Sequence, residues 1–264
     1  MKVAFVGGGN MAGAIIGGVL EAGFAAADIT VLEINPDRGA ELVRQNQVSV
    51  YAQAGPWLNS CDVVVMAVKP QQMHEASLAI QSYLAQPLVL SIAAGIRAQA
   101  IAGWLGTRRV VRAMPNMPAV IRAGISAAVA MDEVSAEQKL AADTILSAVG
   151  SVIWLEDEAM LDSVTAVSGS GPAYVFYFIE AMQAAARELG FDEAQARMLT
   201  LQTFIGAAQL AALSPHPIST LREQVTSKGG TTAAALASLD RDKVSEAVRR
   251  ALHAAALRAR DLGG

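Results

Sequence analysis

The sequence is poor in the groups on which most acid–base and metal chemistry is built. Its one cysteine, Cys61, has no partner for an internal disulfide, and its place in the apolar run CDVVVMAV reads as core packing in a reducing cytoplasm. Three histidines are scattered: His74 after an AVKP turn, His216 between Pro215 and Pro217, and His253 near the end. None stands beside an acid–base partner in a recognisable pattern, so none is expected to be a general acid. No group of Cys, His, Asp and Glu has metal-ligand spacing, and no metal is expected. The 20 Lys and Arg occur singly or in pairs in a chain of net charge −4, which excludes a basic stripe for nucleic acid. Charge-free runs long enough to span a bilayer are absent except for Val3 to Leu20, and that run carries six glycines. A strand, glycine turn and helix explain their placement, whereas an export signal or membrane anchor does not.

What is present opens with a buried-strand pattern, Val3 to Val6, followed by Gly7-Gly8-Gly9-Asn10-Met11-Ala12 and a helical run. This is G-x-G-x-x-A in the strand–turn–helix context of a dinucleotide site: Gly7 permits the tight turn, Gly9 lets the backbone approach a pyrophosphate, and Ala12 keeps the helix close to its strand. Val6, Gly8, Asn10 and Met11 complete that cofactor stretch. A second strand, Ile29 to Glu33, places Glu33 about 20 residues on, where a ribose-reading acid is expected and where an acid favours NAD. Asn35 and Arg38 follow closely as alternative receivers of a 2′-phosphate. Further apolar runs at Val48–Tyr51, Cys61–Val68, Pro87–Ala93 and Arg109–Ala113 alternate with helical segments, which predicts a parallel sheet. Ligands lie beyond the carboxyl ends of such strands, so the turns Ala67-Val68-Lys69-Pro70 and SIAAG, ending in Ala94 and Gly95, are the expected cofactor walls. Lys69 is either a phosphate-facing cation or a solvated turn lysine. RAMPNMP, from Arg112, reads as a stiff non-helical connection in which Asn116 can orient a ligand. Two more strands, Gly124–Met131 and Ser151–Leu155, flank a helix over Ala136–Val149.

From Ala159 onward the period is helical, which sets the expected domains at 1–158, a dinucleotide-binding Rossmann-type α/β domain, and 159–264, an all-α domain. SGSG before Pro172 reads as a second glycine-bearing helix start or a hinge. Tyr174, Phe178 and Met182, four apart, form a stripe for core or interface, and a small domain of mostly apolar helices is expected to bury its remaining face against a second copy. The stretch TSKGGTTAAALASLD, Thr226 to Asp240, breaks the helical run at Gly229-Gly230 and restarts on two threonines. It reads as a seat for a small carboxylate, with Thr231 or Thr232 capping the new helix, or as an ordinary helix break.

A dinucleotide enzyme without a histidine acid needs a substrate with few proton-transfer demands. The helix from Pro172 to Leu189 has no lysine, which counts against a 3-hydroxyacid dehydrogenase. A protonated cyclic imine already carries the charge that draws hydride onto carbon.

The motifs GGGNMAGAIIGG, AVKP, MPN with a nearby Pro, AVSGSGPAYVF and VTSKGGTTAAAL stand in the order and spacing of pyrroline-5-carboxylate reductases, which the chain resembles over nearly its whole length. The resemblance implies reduction of 1-pyrroline-5-carboxylate to L-proline with NADPH, NADH being the alternative. It also implies a Rossmann domain joined to a helical dimerisation domain, and homodimers assembled in some relatives into decamers. It places the substrate carboxylate at Ser227, Gly229, Gly230, Thr231 and Thr232, with Thr232 on the ring nitrogen, assisting protonation. The chain departs from the family pattern at Lys228 for proline, Met117 for threonine, Ala54 for a cofactor-contacting asparagine in some relatives, and Glu33. The rivals are a reductase of another imine or hydroxyacid and a non-catalytic dinucleotide sensor.

Overall fold

The computed structural model describes residues 1–263, and the chain divides into two compact units, one of Met1–Ser170 with the chain from Ala255 on, the other Gly171–Ala254.

The first unit is built on an eight-stranded sheet of order β3-β2-β1-β4-β5-β6-β7-β8. Its strands are β1 (Val3–Val6), β2 (Ile29–Leu32), β3 (Ser49–Tyr51), β4 (Val63–Met66), β5 (Leu88–Ser91), β6 (Val110–Met114), β7 (Gly124–Ala130) and β8 (Gly150–Trp154). VAFV, VVVM and LVLS are apolar on both faces apart from Ser91 and every residue is buried, as strands covered by helices on both sides require. β1 to β6 are parallel in the doubly wound order. The parallel run bears out the expected sheet; of the two further strands, β7 pairs antiparallel with β6, and β8 then runs parallel to β7. Residues 112–118 differ from a wholly non-helical connection, because β6 continues to Met114 and a 3-10 turn covers Met117–Ile121.

The helices of this unit are α1 (Asn10–Glu21), α2 (Pro36–Asn46), α3 (Met73–Gln81), α4 (Ala98–Leu105), α5 (Ala136–Ser147) and α6 (Met160–Val164). Phe5, Ile15, Ile16, Val65 and Ile145 pack one face of the sheet, while Val6, Met66, Ile80 and Ile101 pack the other. Asn35 caps α2 by accepting from Asp37 N and Arg38 N, and Ser135 with Gln138 forms a reciprocal capping box on α5. Cys61 is half-buried with Sγ 3.7 Å from the Trp57 carbonyl; burial, then the neighbouring Asp62, pushes its thiol up, so it stays a neutral packing group.

α6 runs directly into a π-helical turn, Thr165–Gly169, and then into α7 (Gly171–Glu188). Within the SGSG segment, Ser168 and Gly169 close the π turn, Ser170 is a bend, and α7 opens at Gly171 with Pro172 in its first turn, as the glycine-bearing helix start requires; a Cβ on Gly169 would come within 2.8 Å of Met114 Cε, so that glycine serves close packing. The second unit holds α7, α8 (Glu193–Leu213), α9 (Ile218–Gln224), α10 (Thr231–Arg241) and the start of α11 (Val244–Gly263). α7 packs on α8, whose N-terminus carries an Asp192/Gln195 capping box. This unit's core is thin: α7 has no buried residue, and Phe176, Tyr177, Phe178, Met182, Leu210 and Leu213 are exposed. Among the described residues no helix is long and apolar enough to cross a membrane.

Candidate active site

β1 and β4 are neighbours whose following helices lead to opposite sides of the sheet, which opens a crevice at their carboxyl ends. A cavity of about 340 Å³ occupies it. On it converge the Gly7-Gly8-Gly9 turn, the end of β2 with Glu33 and Ile34, the Ala67-Val68-Lys69 turn after β4, and α3 through Glu75, Ala76 and Ala79. Val6 lines its floor.

The turn has the shape its sequence requires. Gly7 N–H donates to the Leu32 carbonyl at 2.9 Å, which carries the chain away from β1 at φ +97°, and a Cβ there would stand 2.9 Å from the Ala67 carbonyl oxygen and from Val68 Cγ1. Only glycine meets both conditions without strain. Gly9 differs: its backbone is extended, and a Cβ would meet nothing within 4 Å, because that direction is open at the cavity. As N-cap of α1, Gly9 leaves the first-turn N–H groups without a side-chain cap, and no acidic residue stands in that turn. Uncapped donors, a helix dipole and room for close approach suit a pyrophosphate.

Glu33 is held on both oxygens. Its Oε2 accepts from Gly8 N and its Oε1 from Asn35 N, each at 2.8 Å. Arg38 reaches back from α2, donating Nε to the Gly8 carbonyl at 2.5 Å and Nη2 to the Gly9 carbonyl at 3.4 Å, while Nη1 pairs with Glu41. The side-chain hydrogen bond from Arg38 holds the Glu41 carboxyl below its ordinary value. The turn is thus clamped from β2 and α2, by an acid on its N–H and a guanidinium on its carbonyls.

The remaining sequence-predicted cofactor residues are arranged around this centre. Asn10 and Met11 are the first residues of α1, and Ala12 is buried against the sheet. Pro70 opens a 3-10 turn that leads into α3. Ala94 and Gly95, the latter at φ +80°, follow β5 and are not part of the cavity lining. Asn35 also lies off the lining, its Oδ1 engaged in the cap of α2. The sequence reading missed the α3 wall of Glu75, Ala76 and Ala79; the signal was there in the helix beginning directly after AVKP.

In the second unit, Gly229 at φ +73° turns the chain into α10, and Gly230 N–H donates to the Ser227 carbonyl at 3.0 Å. The helix starts at Thr231 with Gly230 as its N-cap and no side-chain cap. The expected threonine cap is thereby corrected: both threonines lie inside the first turn, so their hydroxyls do not occupy the capping position, and the first-turn N–H groups remain open to an outside acceptor. No acidic residue stands in that turn. Ser227, Lys228 and Gly229 are exposed and Thr232 is half-buried.

Asn116 proves to be a structural residue. It is 8% exposed, its Oδ1 accepts from Ile125 N at 2.9 Å, and its Nδ2 donates to the Ser168 carbonyl at 3.1 Å, tying β7 to the π-helical turn. Also unread in the sequence is an ionic cluster under α6, where Arg112 pairs with Glu158 and Arg97 with Asp162, each at 2.8 Å.

The family model for pyrroline-5-carboxylate reductase dimerisation matches residues 158–262, and one described as NADP oxidoreductase, coenzyme F420-dependent, matches residues 2–95. The chain is 43% identical to the pyrroline-5-carboxylate reductase of Pseudomonas aeruginosa over 263 residues, covering 99% of this chain and 96% of that one. It resembles the solved pyrroline-5-carboxylate reductase of Coxiella burnetii with TM-score 0.93 at 38% identity, covering 100% of this chain and 98% of that one. The pyrroline carboxylate reductase of Plasmodium falciparum, solved with NADP bound, matches with TM-score 0.89 at 27% identity over 100% of this chain and 98% of that one. A Rossmann-type domain with a glycine turn after β1, a helical domain matched by the dimerisation model of these enzymes, and whole-length identity to them lead to one assignment: the chain belongs to the pyrroline-5-carboxylate reductase family.

Proposed function

We propose that the protein reduces 1-pyrroline-5-carboxylate to L-proline with NAD(P)H, the last step of proline biosynthesis. The observation that carries the reading is the glycine-opened, uncapped start of α10 in a chain that also bears a dinucleotide turn. The first-turn N–H groups, with the hydroxyls of Ser227, Thr231 and Thr232 and the backbone of Gly229 and Gly230, hold the substrate carboxylate. A helix terminus contributes about 0.3–1 kcal/mol to such an anion, and each hydrogen bond to a charged group about 1.5–3 kcal/mol. Lys228 adds a cation beside the seat.

On the cofactor side, Gly9, Asn10 and Met11 present the open donors of α1, Gly7 and Ala12 set the turn, Glu33 reads the adenosine ribose, and Val6, Gly8, Asn35, Ala67 to Pro70, Ala94 and Gly95 shape the surroundings. When bound, the reduced nicotinamide supplies a hydride to the imine carbon. The protein's remaining task is to orient the ring, exclude water and let the ring nitrogen keep its proton; the Thr232 hydroxyl oxygen accepts a hydrogen bond from that protonated nitrogen. This division of labour explains why no histidine is needed.

The uncovered apolar faces of α7 and α8 support a homodimer through this helical domain, with larger assemblies built from dimers, in the cytoplasm.

Thr232→Val tests the role of the hydroxyl with little change of shape. Turnover should fall roughly ten- to hundred-fold, the equivalent of one hydrogen bond to a charged group, while cofactor affinity stays within about twofold. Unchanged turnover removes Thr232 from the mechanism.

A further inference from the structure

The two nicotinamide dinucleotides differ by a single group, the substituent on the 2′ oxygen of the adenosine ribose. In an open doubly wound sheet that ribose lies at the end of β2, which here is Glu33. The Glu33 backbone N–H is anchored on the Tyr51 carbonyl at 3.0 Å, and its two carboxylate oxygens are fixed by Gly8 N and Asn35 N. Each oxygen of a carboxylate has two acceptor directions, so each retains one for a hydroxyl. Two vicinal ribose hydroxyls are the matching donors. A 2′-phosphate has no hydroxyl to give and brings roughly −1.5 to −2 charges against a carboxylate that two backbone bonds prevent from swinging aside.

A phosphate site also needs a free cation, and the β2–α2 turn has committed its own. Arg38 is committed to the Gly8 and Gly9 carbonyls and to Glu41. The Asn35 Oδ1 is held by two backbone donors of α2. Ile34, 74% exposed on the cavity rim, offers an apolar surface with no donor. Asp37 adds negative charge in the first turn of α2. Lys69 is the one cation among the lining residues, and it shares that lining with the carboxylates of Glu33 and Glu75.

Resting on the reading that the glycine turn holds a dinucleotide, we infer that this protein prefers NADH over NADPH and that Glu33 is the specificity-determining residue. The NADP seen in the Plasmodium falciparum relative belongs to a protein 27% identical to this one, and the preference is a property of this chain's own β2–α2 turn.

The test is a binding titration of the full chain with NADH and with NADPH, followed by energy transfer from tryptophan to the nicotinamide. ADP and 2′,5′-ADP serve as competitors that carry only the adenosine half. NADH should bind about 30-fold more tightly, equivalent to about 2 kcal/mol, and ADP should displace NADH better than 2′,5′-ADP. Glu33→Gln, which keeps the length of the side chain and removes its charge, should cut the preference about tenfold by improving NADPH binding. The ratio in the parent protein stands by itself if the variant folds poorly. NADPH binding as tightly as NADH, or more tightly, overturns the inference while leaving the dinucleotide reading intact. Binding of neither overturns the dinucleotide reading, and the inference falls with it.

Discussion

Gly9→Val should leave the protein folded and unable to hold a dinucleotide. Gly9 has extended backbone angles that any residue adopts, and a Cβ there meets nothing within 4 Å. As the N-cap of α1 it gains little from being glycine, so stability should fall by no more than about 1 kcal/mol. That corresponds to a midpoint lower by about 2–4 °C. The new side chain, however, fills open space at the cavity lining beside the uncapped N–H groups of α1, where a pyrophosphate would sit. Two lost hydrogen bonds to a charged group, at about 1.5–3 kcal/mol each, weaken cofactor binding by about 10²–10⁴-fold. Calorimetric titration beside a thermal melt reads both quantities. A variant that binds cofactor as the parent does would show that the pyrophosphate does not lie over Gly9. The contrast with Gly7 sharpens the point, because there positive φ and the nearby Ala67 carbonyl make any substitution a folding defect first.

The largest stability effect should come from Glu158→Leu. Arg112 lies on β6 with its side chain 3% exposed, and Glu158 is its ion-pair partner at 2.8 Å. The same Oε1 accepts from Ala98 N, the first N–H of α4, so one oxygen neutralises a buried guanidinium and caps a helix. Removing one partner of a buried pair costs about 3–5 kcal/mol because the other charge is left uncompensated. Loss of the cap adds about 1 kcal/mol. The melting midpoint should drop on the order of 10 °C. The double variant Glu158→Leu with Arg112→Met removes both charges and should recover most of the loss, since an apolar replacement of a buried pair is often neutral or stabilising. Equal melting of the single and double variants would show that the cost lies in the lost cap and packing rather than in the orphaned charge.

Much of this molecule was readable from residue order because its strands are covered on both faces. VAFV, VVVM and LVLS are short apolar runs between punctuating glycines, prolines and charges, and a βαβ alternation leaves little choice of arrangement. The glycine turn was readable for the same reason that it works: Gly7 and Gly9 answer local backbone and steric demands. The direction of β7 was not. RAMPNMP signals a connection but not that the 3-10 turn at Met117–Ile121 returns the chain antiparallel beside β6. Composition likewise misled at one helix junction. Threonines after a glycine pair suggested a side-chain cap, yet the helix begins one residue early with Gly230 as N-cap. SGSG marks the start of α7 at Gly171, but not the π turn before it, in which Asn116 fixes the Ser168 carbonyl from 52 residues away. The pairing of Arg112 with Glu158 was invisible for a related reason, since 46 residues separate them and neither stands in a local motif. Long-range polar partners are chosen by the finished fold.

The decisive experiment is to incubate the purified protein with 1-pyrroline-5-carboxylate and, separately, NADH and NADPH, following cofactor oxidation and identifying the product. L-Proline should form in step with the cofactor consumed, at the greater rate per unit concentration with NADH. A folded, cofactor-binding sample that forms no proline with either dinucleotide would contradict the proposed reaction.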